Sequence, residues 1–300
     1  MLSVVITAWN EEKNLPRVVS SVVELADEIV VVVDEASIDK TAEVAKKLGC
    51  TVYFHEHTGV VEPMRNYSIE KAKGDWILLL DADEEIPVFL ARQIPGLISG
   101  AEGDYYRIPR KNLIFNKWVK SGHWWPDYVY RLFRKGAVSW DDVIHSVPFT
   151  RGAGRDLDPV EKNAIIHHHY DSVAQYIDRL NRYTDHQLIH LHSGFSTSDL
   201  ISRPSREFLT QYFSRSGWKE GTHGLVLSLL QSYSELALYL KLWEKQGFPA
   251  SAFPPQKLRD ELRKTNNDMK WWYYQSRIDS SLAVYRPFWK IIRKIITLIK

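Results

Sequence analysis

Two aspartates separated by one alanine, Asp81-Ala82-Asp83, close a run of five apolar residues, Trp76 to Leu80. A buried strand of that kind delivers its last residues to the rim of a sheet. Alternation along an extended chain points Asp81 and Asp83 to one side, where like charges repel unless a cation lies beside them. Hard divalent ions such as Mg2+ or Mn2+ take oxygen ligands and bridge to phosphates, so the pair predicts a metal and a phosphorylated ligand. Polar residues also follow two earlier apolar runs. Thr7-Ala8-Trp9-Asn10-Glu11 falls where the base and ribose of a nucleotide would lie, and Asp34 opens a second polar segment ending at Thr41. Asp34 can accept a hydrogen bond from a uracil N–H, whereas Asp39 and Thr41 read as helix-capping residues.

Such residues do chemistry only if strands and helices hold them. Leu2 to Thr7, Glu28 to Val33 with its four consecutive valines, Thr51 to Phe54 and Trp76 to Leu80 read as strands buried on both faces of a parallel sheet. Helical patterns lie between them. One is capped by Asn14, carries Pro16 in its first turn and runs to about Ala26; another spans about Lys40 to Leu48 and stops at Gly49; a third spans about Pro63 to Lys73 and stops at Gly74. The alternation predicts a doubly wound α/β sheet with its ligand at the carboxyl ends of the strands. From Gly103 to His145 the pattern is short and aromatic and reads as an irregular, strand-containing second half. Helical patterns return at Ser172 to His190, Glu207 to Phe213 and Leu225 to Trp243, before a Pro/Ala-rich linker at Phe248 to Pro255.

Composition narrows the classes. With 44% apolar and 25% charged residues among 300, the chain can bury a core and is not a disordered one. Its single cysteine, Cys50, excludes an intramolecular disulfide and fits a reducing compartment. No signal peptide and no apolar run long enough to span a bilayer are read from it. Net charge is +2, but residues 1–100 carry 9 basic and 17 acidic residues and the remainder is basic. An acidic first part suits a metal site, and a basic second part suits an anionic acceptor or membrane. The tail, 286–300, holds five basic and no acidic residues. Phe288, Ile291, Ile292, Ile295, Ile296 and Ile299 fall on one helical face, and Lys290, Arg293, Lys294, Thr297 and Lys300 on the other. That predicts a helix lying in an anionic membrane interface. No G-x-G-x-x-G follows the first strand and the Thr7 to Asn14 segment has no glycine, against a dinucleotide-binding dehydrogenase and against a nucleotidyltransferase.

Taken in order, Thr7 to Glu11, Asp34 to Thr41, Arg65-Asn66 and Gly74-Asp75-Trp76 running into Leu80-Asp81-Ala82-Asp83-Glu84 resemble glycosyltransferase family 2. The resemblance implies an α/β GT-A fold, that is, a Rossmann-like nucleotide-diphospho-sugar transferase domain with a helical C-terminal extension. The implied boundaries are 1–170 for the catalytic domain (1–110 for donor and metal, 111–170 for acceptor and catalysis) and 171–300 for the helical region. It implies that Thr7, Glu11 and Asp34 contact the nucleoside, with Ala8, Trp9, Asn10, Asp81 and Ala82 in the same donor set. Trp9 stands where tyrosine is common and preserves stacking. Arg65 is implied near the base or diphosphate. A Mg2+ or Mn2+ cofactor is implied on Asp81 and Asp83, with His145 as the late histidine of its shell. Trp125-Pro126-Asp127 before Tyr130-Arg131-Leu132-Phe133-Arg134 matches the catalytic half: Asp127 is implied as general base, with Asp141 and Asp142 as rivals, and Arg131 and Arg134 steady the departing diphosphate. His167-His168-His169 shows no metal-ligand spacing and reads as packing.

Across the whole chain the sequence also resembles the lipopolysaccharide core β-1,4-glucosyltransferase group, through Trp124-Trp125-Pro126-Asp127, Arg131-Leu132-Phe133-Arg134, His169-Tyr170, Asn181-Arg182-Tyr183 and Arg203-Pro204. It implies inverting transfer from a nucleotide diphosphate sugar, UDP-linked, to a hydroxyl of a membrane-associated glycolipid, lipopolysaccharide core or other saccharide acceptor. The expected place is the cytoplasm, peripheral on the inner membrane, with no nucleic-acid partner. A polyprenyl phosphate sugar synthase and a non-catalytic nucleotide-sugar-binding scaffold are the alternatives.

Overall fold

The computed structural model describes residues 1–59, 61–100, 102–141 and 147–298. They divide into two compact units, one formed by Met1–Ile114 with Trp124–His169, the other by Phe115–His123 with Tyr170–Lys300.

The first unit begins as strand–helix alternation: β1 (Leu2–Ala8), α1 (Leu15–Val22), β2 (Glu28–Asp34), α2 (Thr41–Lys47), β3 (Thr51–His55), α3 (Glu62–Lys71) and β4 (Trp76–Asp81). Further strands are β5 (Glu84–Glu85), β6 (Tyr105–Ile114), β7 (Lys117–Trp118, which belongs to the second unit), β8 (Asp127–Arg134), β9 (Val138–Ser139), β10 (Phe149–Thr150), β11 (Gly154–Asp156) and β12 (Ile165–Tyr170), with α4 (Val88–Ser99) between β5 and β6. The sheet runs β3-β2-β1-β4-β8-β6-β12-β5. Its first four strands are parallel, and β8 enters antiparallel between β4 and β6.

The apolar runs are continuous because helices cover both faces. Val4, Ile6, Val31, Leu78 and Leu80 pack with Leu15, Val18 and Val22 of α1 and Leu90 and Ile94 of α4. Val5, Val30, Val32, Ile77, Leu79 and Phe133 pack on the other face with Met64 and Ile69 of α3. Each such side chain contributes about 1.5–3 kcal/mol on burial. Register then sets the site: Thr7 pairs with Asp81, Ala8 with Val33 and Asp34 with His55, so the polar residues after each strand share one rim.

Helix ends differ from expectation in places. Asn14 makes no capping bond and itself has helical dihedrals. Its side chain instead donates to Glu11 Oε2 at 2.6 Å and accepts from Arg17 at 2.7 Å, because an acceptor and a donor on neighbouring residues satisfy it locally. Asp39 precedes Lys40, the N-cap of α2, which makes no side-chain capping bond; the Asp39 carboxylate accepts from the first helical N–H, that of Thr41, at 3.0 Å and from the N–H of Glu12 at 3.0 Å.

The second unit is helical: α5 (Val173–His190), α6 (Asp199–Leu209), a π-helical turn Thr210–Ser214, a 3-10 turn Gly217–Glu220, α7 (Thr222–Lys245), α8 (Pro255–Ser280) and α9 (Arg286–Leu298). Ser172 caps α5 by accepting from Gln175 N–H at 3.1 Å. Among the described residues no helix is long and apolar enough to cross a membrane. In α9 the single apolar face expected from spacing is divided. Phe288, Ile291 and Ile295 are 56%, 61% and 52% exposed, whereas Ile292 and Ile296 are half-buried. Arg293, expected on the polar face, is half-buried too and lies 4.9 Å from the Trp271 ring. The cause is the aromatic surface of α8, which also brings Tyr274 6.3 Å from Trp289 and Arg277 4.7 Å from it. Ile299 and Lys300 lie outside the described residues.

Candidate active site

At the shared rim, the loop after β1 is tied to the loop after β2. Asn10, at φ +57°, accepts from Ile38 N–H through its side chain at 2.8 Å, a left-handed conformation that asparagine tolerates better than most residues. The Glu11 N–H donates to Thr41 Oγ1 at 2.7 Å. Thr7 is buried and Ala8 nearly fully so, while Trp9 is 36% exposed. Asp34 is 5% exposed. It accepts from Ala36 N–H at 2.8 Å and lies 2.8 Å from His57 Nδ1, and His57 is 5.2 Å from the Trp9 ring. Sequence reasoning missed His57; nothing around it in the sequence marks it.

Asp81 and Asp83 do not act as the matched pair that alternation predicts. The extended conformation stops at Asp81, and Ala82-Asp83 form a turn, so the two carboxylates take different partners. Asp81 is held by Arg65, at 2.9 and 3.0 Å, and by Arg131. Burial alone would raise its pKa, but the charges of Arg131 and Arg65 override it and hold the carboxyl far below the usual range. Arg131 is 2% exposed and also grips the fully buried Glu84 at 2.8 Å. Burial disfavours its charge, and Asp81 and Glu84 more than restore it, raising its pKa. Glu84 is 3.4 Å from Arg110, which is 2.7 Å from Asp127. Arg65, Arg110 and Arg131 thus interleave with Asp81, Glu84 and Asp127 in one network, buried at Arg131 and Glu84 and partly exposed elsewhere, whose formal charges cancel.

Asp127 starts β8, opposite Arg110, at the same end of the sheet as Asp81. Its Oδ2 takes the Arg110 guanidinium, with Nε at 2.9 Å, and the Asn112 amide at 3.1 Å; Oδ1 takes no hydrogen bond from a described residue. Asn112 is 1% exposed. Its amide also donates to the Trp124 carbonyl at 3.1 Å, and its Oδ1 faces His167 Nδ1 at 2.6 Å. That contact places a proton on Nδ1, since the amide oxygen can only accept. His167 Nε2 is 3.5 Å from Asp83 Oδ1, both nearly buried. On a strand His167 and His169 share one face, with rings 4.5 Å apart, while His168 turns to Glu85 at 3.2 Å.

Arg134 is not at the rim. It pairs with Trp76 at the opposite end of β4, and its guanidinium lies 3.3 Å from Asp104. The five residue steps from Trp76 to Asp81 put it about 16 Å away along the strand. Asp141 is exposed; Asp142 and His145 lie outside the described residues. Glu84, Arg110, Asn112 and His167 were not picked out as site residues. Arg110 and Asn112 carried a signal, since they alternate with Ile108 and Ile114 on the buried face of β6, a polar interruption of an apolar period.

As to a metal, no group of three or more His, Cys, Asp or Glu among the described residues is arranged to hold one. Asp83 and His167 do fit as a partial set, because a histidine whose far nitrogen is fixed by a side-chain oxygen is oriented as metal-ligating histidines are. Asp81 fits less well, both of its oxygens being engaged by arginines.

The chain matches the glycosyl transferase family 2 model over residues 3–158 and belongs to that family. An uncharacterized glycosyltransferase of Rickettsia typhi is 28% identical over 255 residues, covering 81% of this chain and 87% of its own. Another, of Rickettsia bellii, is 28% identical over 264 residues, covering 81% and 86%. Among solved structures, residues 1–349 of S. aureus TarS align over 99% of this chain and 88% of theirs, at 13% identity and a TM-score of 0.41. The protein is a glycosyltransferase that uses a nucleotide sugar, on a GT-A-type α/β domain followed by helices.

Proposed function

We propose that the protein transfers a glycosyl group, with inversion, from a UDP-linked sugar to a hydroxyl of a membrane-associated glycolipid, of the lipopolysaccharide-core kind, with Asp127 as general base. The observation that carries the reading is the Asp127 carboxylate: Arg110 and Asn112 fix one oxygen and the other is open to a substrate. A base so held takes the acceptor proton as that oxygen attacks the anomeric carbon. One base and one displacement invert the centre. Asp34 retains acceptor capacity for a base imide N–H, and Trp9 supplies a stacking face.

The network is charge-balanced within itself, so a bound diphosphate brings uncompensated negative charge, and a cation has to accompany it. Asp83 with His167 would hold a divalent ion, and such an ion neutralises charge on the departing diphosphate. Arg65 and Arg131 keep Asp81 ionised and in place. The helical region carries the exposed row Phe288, Ile291 and Ile295 beside Arg286, Lys290 and Lys294, which suits an anionic membrane surface and a lipid-borne acceptor on its cytoplasmic face.

Calorimetric titration with UDP, GDP and dTDP, in Mn2+ and then in excess chelator, tests the donor reading. UDP alone binds, needs the metal and is lost in Asp83→Ala. Asp127→Asn keeps UDP affinity while turnover falls about 10²- to 10⁴-fold. Near-normal turnover in that variant defeats the base assignment, and absence of any nucleotide binding defeats the donor site.

A further inference from the structure

Within the second unit, an open groove of about 530 Å³ at the surface is lined by Lys120, Arg215 and Lys219, by Ser121, Ser214 and Ser216, and by Gly122 and Glu220. The size suits a small polar ligand. Its one carboxylate, Glu220, is already committed. Lys117 Nζ lies 2.9 Å from it, and the N–H groups of Lys120 and Ser121 donate to it at 2.8 and 2.9 Å. Burial would raise the Glu220 pKa, but these partners hold it below the ordinary value. No described carboxylate pairs with the three lining cations. Lys120 Nζ rests 3.7 Å from the Trp118 ring centre, Lys219 Nζ 5.5 Å from that of Trp218, and Arg215 is 3.3 Å from His123 Nδ1. Three uncompensated cations facing one space, with hydroxyls between them, form a receptor for an anion bearing several oxygens.

The walls are built closely. Gly122 lies at φ +64°, and a Cβ added there would lie 3.1 Å from Arg215 Cβ. Ser216, a non-glycine residue, is left-handed at φ 59°, ψ 27°, the kind of costly backbone that persists where the surroundings impose it. A smaller cavity shares Ser214, Ser216 and Lys219 with the groove and adds Trp218, Trp272 and Asp279. Indole faces take the apolar face of a sugar ring, and a carboxylate accepts from sugar hydroxyls.

We propose that the groove and this cavity together bind a phosphorylated saccharide, the phosphate against Lys120, Arg215 and Lys219 and the ring against Trp218 and Trp272. As a binding site it stands without the donor reading; as the anchor for a phosphorylated acceptor it rests on the transferase function proposed above.

Calorimetry on the full chain, with no nucleotide present, tests it with four probes: a hexose 6-phosphate, the unphosphorylated hexose, inorganic phosphate, and glycerol 3-phosphate in place of a lipid headgroup. The hexose 6-phosphate binds roughly tenfold or more tightly than the other three. Lys120→Gln with Arg215→Gln weakens it by about the same factor, and Trp272→Ala weakens the hexose 6-phosphate without changing inorganic phosphate. UDP affinity stays at the wild-type value in the double variant, which confirms an intact fold. The proposal is overturned if no phosphate binds, if the double variant binds as wild type does, or if inorganic phosphate or glycerol 3-phosphate equals the hexose phosphate. Loss of UDP binding from the wild type, with hexose phosphate still bound, would strike the transferase reading and leave this site standing.

Discussion

At the scale of single residues, the ion-pair network makes its members unequal. Arg131 sits between Asp81 and Glu84 with 2% of its surface exposed, so Arg131→Ala leaves Asp81 on Arg65 alone and the fully buried Glu84 with only Arg110 at 3.4 Å and costs about 3 kcal/mol, read as a fall in melting temperature. The low pKa of Asp81 gives the pH direction. Its ion pairs contribute fully above the unfolded carboxylate value of about 4 and are lost as pH falls through the folded value, so thermal stability declines only in acid. Asn112→Ala unties both Asp127 and His167; turnover drops about 10- to 100-fold while the fold persists, and a parallel collapse in melting temperature would assign Asn112 to structure alone. Asp81 and Asp83 stood out because acids directly after an apolar run have few structural uses, whereas Asp127 was marked only by the family resemblance of its segment. Their partners were not readable. Glu84, Arg110 and His167 come from three strands, and only the fold brings them together.

Among elements, the four parallel strands were legible because continuous apolar runs have one simple explanation. α4 was not, with Pro95 inside it, and α8 was not, being polar enough that its apolar positions do not stand out. The π-helical turn after α6 also has no signature in composition. Tight element contacts give predictions of their own. A Cβ on Gly224 at the start of α7 would lie 1.8 Å from the Gly217 carbonyl oxygen. Gly224→Ala therefore pushes α7 off the 3-10 turn and destabilises by about 1–3 kcal/mol, measured by denaturant midpoint. Glu220→Gln loses the Lys117 charge pair and weakens the hold on the N–H groups of Lys120 and Ser121. Faster amide exchange at those two residues would report it.

Over the whole molecule, the charge split seen in the sequence has a structural counterpart: the acidic part builds the sheet rim that carries Thr7, Asp34 and Asp81, and the basic part ends in a helix with an exposed apolar row. Replacing Ile291 and Ile295 with glutamate places negative charge on that row without touching the α8 contacts, and cosedimentation with anionic vesicles is lost while neutral vesicles bind neither form. Retention of wild-type binding would return α9 to a purely structural role. The order of strands has one more consequence, concerning synthesis. β8 lies between β4 and β6, yet β6 is made first. A growing chain can pair β1 with β2 and β4 once Asp81 has emerged, but the outer edge of β4 has no neighbour until Arg134 follows. Chains halted between those points carry Ile77 and Leu79 on an open strand, a template for joining other chains. Ribosome pausing within residues 82–134 is thus the stage at which this protein is most prone to aggregate, and moving a pause beyond Arg134 should raise soluble yield.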